Sequence, residues 1–223
     1  MAKEHTIRQY DAELNDIRRR ILEMGEKVDH MISGSVKALV DRDSGLADRT
    51  MLSDLEINQM EMETDERCLE VIARWQPAAN DLRFLTLALK VVTELERIGD
   101  QCVSLARTVK KLNEEPPLKP YVDLPRLAGV VRTMVSEALE AFLHKDVKFA
   151  RKVCKDVICV DDLSVRIHTD LLTQMMEDPS TVTRAMKLTH ISRCLEIIAD
   201  HAKNLAEMVI FIVIGKDIRH TMG

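Results

Sequence analysis

The sequence repeats itself, which restricts it to folds built from two like halves. Met31-Ile32-Ser33 and Ala38-Leu39-Val40-Asp41-Arg42-Asp43 match Met134-Val135-Ser136 and Ala141-Phe142-Leu143-His144-Lys145-Asp146 at an offset of 103. Glu96-Arg97-Ile98-Gly99-Asp100 and Ser104-Leu105-Ala106 match Glu196-Ile197-Ile198-Ala199-Asp200 and Asn204-Leu205-Ala206 at an offset of 100. The small difference between the offsets fits within one loop or helix end. Four of the six prolines fall between positions 113 and 125. Helices do not continue through such a run, so it reads as a linker. The predicted organisation is a first unit over 1–112, a linker over 113–125 and a second unit over 126–223.

Each half carries three stretches with helical spacing. They lie near 6–41, 45–74 and 78–112, then 123–144, 147–177 and 180–216, with Gln76-Pro77 and Asp178-Pro179 as matching breaks. Long helices joined by short turns pack antiparallel. The sequence therefore predicts an all-α protein of two tandem, pseudo-repeated antiparallel three-helix bundles. Seven aromatic residues and seven glycines are few for a β protein, which agrees.

The net charge is −5 and basic residues are interspersed with acids, so a nucleic-acid partner is not expected. The run Met208–Ile214 is far shorter than the roughly 20 residues of a membrane span. It reads as the last turns of a core helix that also packs against something. Residues 1–10 lack the apolar core of a signal peptide, and the five cysteines form no CxxC pair. A cytoplasmic protein with reduced, mostly buried thiols is expected.

Candidate chemistry concentrates in carboxylates. In the third helix Leu87, Val91, Leu95, Ile98, Cys102 and Leu105 form the core stripe, and Glu96 and Asp100 lie roughly opposite it. Leu85, Leu89 and Val103 share that outer side, which suggests a partly apolar face fit for a homodimer. Two carboxylates at i, i+4 repel one another, and a bound cation reverses the sign. Glu196 and Asp200 repeat the pair. In the second helix Asp54, Asn58, Glu61 and Asp65 add candidates, with Asp161 at the position matching Asn58. Asp54 and Glu61 align with Val157 and Ser164, so the second site is expected to bind differently or more weakly. An isolated ExxxD pair is ordinarily a solvated helix face; its repetition is what raises it to a candidate metal site. Arg83 reads either as an ion-pair partner or as a neighbour of helix capping by Asn80 or Asp81. No ferritin-like Glu-x-x-His, HExxH, P-loop, GxGxxG or nucleophile elbow is present, so no enzyme is indicated.

Gln76-Pro77-x-x-Asn80-Asp81-Leu82-Arg83 followed by Glu94-Leu95-Glu96-Arg97-Ile98-Gly99-Asp100 resembles the signature of the PhoU family. Leu22-Glu23-Met24-Gly25, Ile57-Asn58 and the block from Glu196 to Ala206 fit as well, so the likeness spans essentially the whole chain. The resemblance implies a cytoplasmic, non-catalytic negative regulator of the phosphate-starvation response that also restrains phosphate uptake. It would couple the ATPase of the phosphate ABC transporter to a membrane sensor histidine kinase, reaching the membrane only through these partners. The resemblance also implies iron, zinc or other divalent ions on E(D)xxxD motifs, here Glu96 and Asp100 with Glu196 and Asp200. Asn58 and Asp161 take the family's acidic position in the second helix. Two other readings compete: a carboxylate-rich bundle that stores metal, and a PhoU-like regulator of another ion transporter.

Overall fold

The computed structural model describes residues 2–118 and 121–214, with side chains from Arg8 onward. Among these residues it contains six long helices and no strand: α1 (Ala2–Val40), α2 (Ser44–Trp75), α3 (Ala79–Asn113), α4 (Asp123–His144), α5 (Val147–Glu177) and α6 (Val182–Ile214). A single 3₁₀ turn, Pro179–Thr181, precedes α6. Helix boundaries follow the sequence expectation closely. Positions 215–216 of the predicted sixth helix, and Lys119 and Pro120 of the linker, lie outside the described residues.

The repeat first visible in the sequence is a turn built twice. Arg42 (φ 54°) and Lys145 (φ 53°) adopt the left-handed conformation that ends a helix. The next residue in each case is an aspartate that caps the following helix. Asp43 accepts from the Leu46 amide at 2.9 Å, and Asp146 from the Lys148 amide at 2.7 Å. The amides of Asp43 and Asp146 both return to an alanine carbonyl, Ala38 and Ala141, at 3.0 Å. At the next corner Gln76 (φ 47°) closes α2 ahead of Pro77. The start of α3 differs from the capping expectation. Its N-cap is Ala78, with no side-chain cap, and Asp81 instead accepts from the Tyr10 hydroxyl at 3.0 Å. Arg83 is exposed and enters no ion pair with a described residue.

Helices α1–α3 form one bundle and α4–α6 the other, and each packs internally on all three sides. The bundles also share a broad seam, with α3 against α6 and α1 against α4, so that one hydrophobic cluster runs through both. Glu94 with His201, and Ser104 with His190, mark α3 and α6 as antiparallel. Across α1 and α4, Arg132 makes a two-pronged ion pair to Asp29 at 2.6 and 2.7 Å. Gly25 permits the close approach there, because a Cβ would lie 2.3 Å from Leu139 Cδ1. Helices α2 and α5 are left outside.

That arrangement corrects one expectation about α3. Its side opposite the predicted stripe is not free for a second copy: Leu85 is fully buried, and Leu89 and Val103 pack against the core. The exposed apolar residues lie on the outer helices instead, as Leu55, Met62 and Leu69 on α2 and Ile158, Val165 and Leu172 on α5. These occupy equivalent repeat positions. Four of the cysteines are buried or half-buried, and Cys159 is exposed; all five are free thiols.

Candidate functional site: two carboxylate grooves

In the first bundle the candidate residues line the groove between α2 and α3. Gly99 sets its width. A Cβ at this position would sit 3.1 Å from Asp54 Oδ1 and 3.3 Å from Ile57 Cγ2, so the bare glycine lets the Asp54 carboxylate lie against α3. Burial raises the Asp54 pKa above its ordinary value and the nearby Asp100 charge adds to this, while a 3.4 Å hydrogen bond from Asn58 opposes it. Glu96 is raised first by burial, then by Asp100, Glu61 and Asp54, with Arg97 offsetting part. Asp65 is raised by burial and by Glu61. Six of the predicted residues (Asp54, Asn58, Glu61, Asp65, Glu96 and Asp100) thus come to one groove.

Three oxygens in that groove are buried without a hydrogen-bond partner: Asp54 Oδ1, Asn58 Oδ1 and Asp65 Oδ1. Orphaned acceptors beside mutually repelling carboxylates have one chemical need in common, a positive charge or a donor. Oxygen ligands of this kind suit hard and borderline cations. Among the described residues, however, no three His, Cys, Asp or Glu side chains converge as a group that could hold a metal ion. The carboxylates lie near one another without forming a closed ligand shell.

The second groove, between α5 and α6, is a different object. Glu196 accepts a 2.6 Å hydrogen bond from Arg193, whose pKa is raised first by that bond and also by the charges of Glu196 and Asp200. His168, at the position of Asp65, places Nε2 4.0 Å from Glu196 Oε1, and this buried nitrogen has no hydrogen-bond partner. Asp161 and Asp200 are exposed. Where the first groove has Asp54 against Gly99, the second has Val157 and Ala199, and where it has Thr93 the second has Arg193. The second pair is thus neutralised internally by an arginine. The first groove therefore keeps orphaned acceptors and carboxylates whose pKa values are raised by burial and by one another, whereas in the second the Glu196 carboxylate is paired with Arg193.

Sequence reasoning passed over three features of this region. Gly99 is an isolated glycine inside a helix, which signals close approach. Arg193 emerges only when positions 93 and 193 are compared. The third is a polar contact across the seam: His201 Nδ1 lies 2.7 Å from Glu94 Oε2, and Asn204 donates to the same oxygen at 3.4 Å. Nothing local in the sequence pairs residues so far apart.

Comparison with known proteins gives a consistent result. The PhoU domain model matches residues 21–109 and again 124–209, one match per bundle. A phosphate-specific transport system accessory protein PhoU homolog from Pseudomonas aeruginosa is 42% identical over 217 residues, covering 97% of this chain and 90% of the relative. The phosphate-specific transport system accessory protein PhoU of Escherichia coli is 34% identical over 221 residues, covering 98% and 91%. The crystal structure of PhoU from Pseudomonas aeruginosa superposes with a TM-score of 0.88 at 41% identity, over 93% of this chain and 100% of that one.

Proposed function

The chain belongs to the PhoU domain family, and on that premise we propose that it is an accessory protein of phosphate transport acting as a cytoplasmic, non-catalytic adaptor. In this reading one helical face meets the ATPase of the phosphate ABC transporter and another meets a sensor histidine kinase. The transporter's state shifts which complex is populated, and the kinase is held in its repressing mode when phosphate is plentiful. The observation that carries the reading is the near end-to-end likeness to relatives named as accessory proteins of the phosphate-specific transport system. The lack of a membrane-crossing helix among the described residues is compatible with membrane contact through partners alone. A homodimer belongs to the same proposal, with the exposed stripes on α2 and α5 as the surfaces available for it.

The orphaned oxygens of the α2–α3 groove support one addition, a bound iron, zinc or other divalent ion. Asp54, Glu61, Glu96 and Asp100 would supply its ligands only after their side chains draw together, since no three of them converge in this structure, with water completing the open side. A bound cation would relieve the repulsion among these carboxylates and tie α2 to α3.

The test is complementation. Expressed in a bacterium lacking its own protein of this type, the chain restores repression of a phosphate-starvation reporter at high phosphate. A reporter that stays high while the protein accumulates in folded form contradicts the adaptor reading.

A further inference from the structure

The α3–α6 seam has two ends, related by the repeat, and they are finished differently. At the end where α3 stops and α6 begins, the chain covers itself. The segment after α3 folds back so that Glu115 pairs with Lys187, and Arg184 donates to the Pro116 carbonyl at 3.2 Å. Arg42 donates to the Glu115 carbonyl, and Leu118 and Tyr121 pack onto the core. An acidic, partly apolar segment therefore lies over basic side chains at this end of the seam.

At the opposite end, where α6 finishes beside the first turns of α3, the described residues leave a groove. Two adjoining cavities of about 430 and 230 Å³ share Arg83, Leu87, Ile212 and Val213. Phe211, Val213 and Ile214 are 44%, 43% and 42% exposed. The cations of the lining are Arg83, Lys90 and Lys145, all exposed and none ion-paired with a described residue. Among the described residues no carboxylate lines either cavity, although the chain as a whole carries a charge of −5. Beneath the second cavity the buried Phe84 and Phe142 rings stack at 5.6 Å, and the half-exposed Phe211 lines the first. An apolar floor with one accessible aromatic side chain, Phe211, and a rim of one charge sign suits an amphipathic peptide of the opposite sign.

We propose that the groove between the start of α3 and the end of α6 binds an acidic amphipathic segment of a protein partner. Such a segment would set apolar side chains against Phe211, Val213 and Ile214, with its carboxylates toward Arg83, Lys90 and Lys145. The other end of the seam supplies the precedent, since an acidic segment of this chain already fills the related position there. The nine residues after Ile214 have the wrong sign for the role, with Lys216 and Arg219 against a single acid, Asp217. The inference rests on the adaptor reading for its setting, but its chemistry is testable in purified protein. Failure here leaves the complementation result intact, and failure there leaves this binding intact.

The probe is a fluorescein-labelled peptide of about 16 residues with leucines at i, i+3, i+4 and i+7 and glutamates elsewhere, read by fluorescence anisotropy. A lysine-for-glutamate version of the peptide and phosphatidylglycerol vesicles serve as alternatives. The full chain binds the acidic peptide with a Kd below about 100 μM, and less tightly as salt rises. Arg83→Glu/Lys90→Glu weakens binding about tenfold or more, and Phe211→Ser does so independently. These positions are exposed, and circular dichroism confirms that each variant keeps its helices. The proposal is overturned by no saturable binding of the acidic peptide, or by equal binding of the lysine version. Indifference to both variants also overturns it. Vesicle binding without peptide binding makes the groove a lipid-facing surface, and binding that emerges only after deletion of residues 215–223 makes the chain's own end the occupant; either refutes the proposal.

Discussion

Replacing Asp54 and Gly99 together by the residues of the second bundle, Asp54→Val/Gly99→Ala, should make the protein more stable. Gly99 lies in the interior of α3, where alanine is favoured by about 1 kcal/mol. Alone, the new Cβ would press on Asp54 Oδ1 at 3.1 Å and Ile57 Cγ2 at 3.3 Å, a close contact to set against that gain. Valine ends one bond short of Oδ1, so it clears the first contact and removes a buried oxygen that has no partner. Relief of an unsatisfied buried group amounts to about 1–3 kcal/mol. Adjustment at Ile57 returns part of it, leaving a net gain of about 1–2 kcal/mol. For a chain of this size that corresponds to a Tm higher by about 3–6 °C. Urea unfolding in EDTA of metal-free wild type, both single variants and the double variant closes the cycle. Favourable coupling is expected, with Gly99→Ala better tolerated in the Asp54→Val background than beside the native Asp54. A double variant less stable than wild type, or two strictly additive singles, would refute it.

Other outcomes follow from the same groups. Glu94→Ala strips the seam of the partner of His201 and Asn204 and should cost about 2–4 kcal/mol in urea unfolding; a loss below about 0.5 kcal/mol contradicts a structural role. The pKa values of Asp54, Asp65 and Glu96 are raised by folding, so native protein holds more protons than unfolded chain between their ordinary and raised values. Their contribution to stability therefore improves as pH falls through that window. Relative to metal-free wild type, Asp54→Asn/Asp65→Asn/Glu96→Gln should gain most at neutral pH and lose its advantage near pH ~4, whereas an advantage independent of pH would exclude this origin. Burial pushes the Cys68 thiol up to about 12 and Cys154 up to about 11, and Cys102 and Cys194 are raised too. Brief alkylation followed by mass spectrometry should label Cys159 alone, with the others reacting only on unfolding; rapid labelling of Cys102 would contradict the packing described.

The fold was legible because its signals are local. The Asp41-Arg42-Asp43 and His144-Lys145-Asp146 matches encode complete turns, each a left-handed residue followed by an aspartate cap. Apolar spacing then placed the core stripe of α3 correctly, from Leu87 to Leu105. The side of α3 carrying Leu85 was misjudged as free because helical periodicity gives a direction without naming what lies there. Of the site, the proximity of the six first-groove residues follows from helical spacing, and repetition marks only Glu96 and Asp100. Their inequality with the second groove was only half readable: Val157 in place of Asp54 is visible in the sequence. That Arg193 reaches Glu196, and that Gly99 admits Asp54, depends on side-chain placement across turns and between helices. The pairing of Glu94 with His201 is set by how two bundles meet, which neither half encodes alone.

One repeated motif thus stands as two unlike sites, a first groove with orphaned acceptors and a second with an arginine-tied pair. Elemental mass spectrometry of protein purified without a metal-affinity tag tests it directly, for wild type, Asp54→Asn/Glu96→Gln/Asp100→Asn and Glu196→Gln/Asp200→Asn. Stoichiometric metal is expected in wild type and in the second-groove variant, with its loss from the first-groove variant. Equal loss from both variants, or metal retained when the first groove is neutralised, would contradict it.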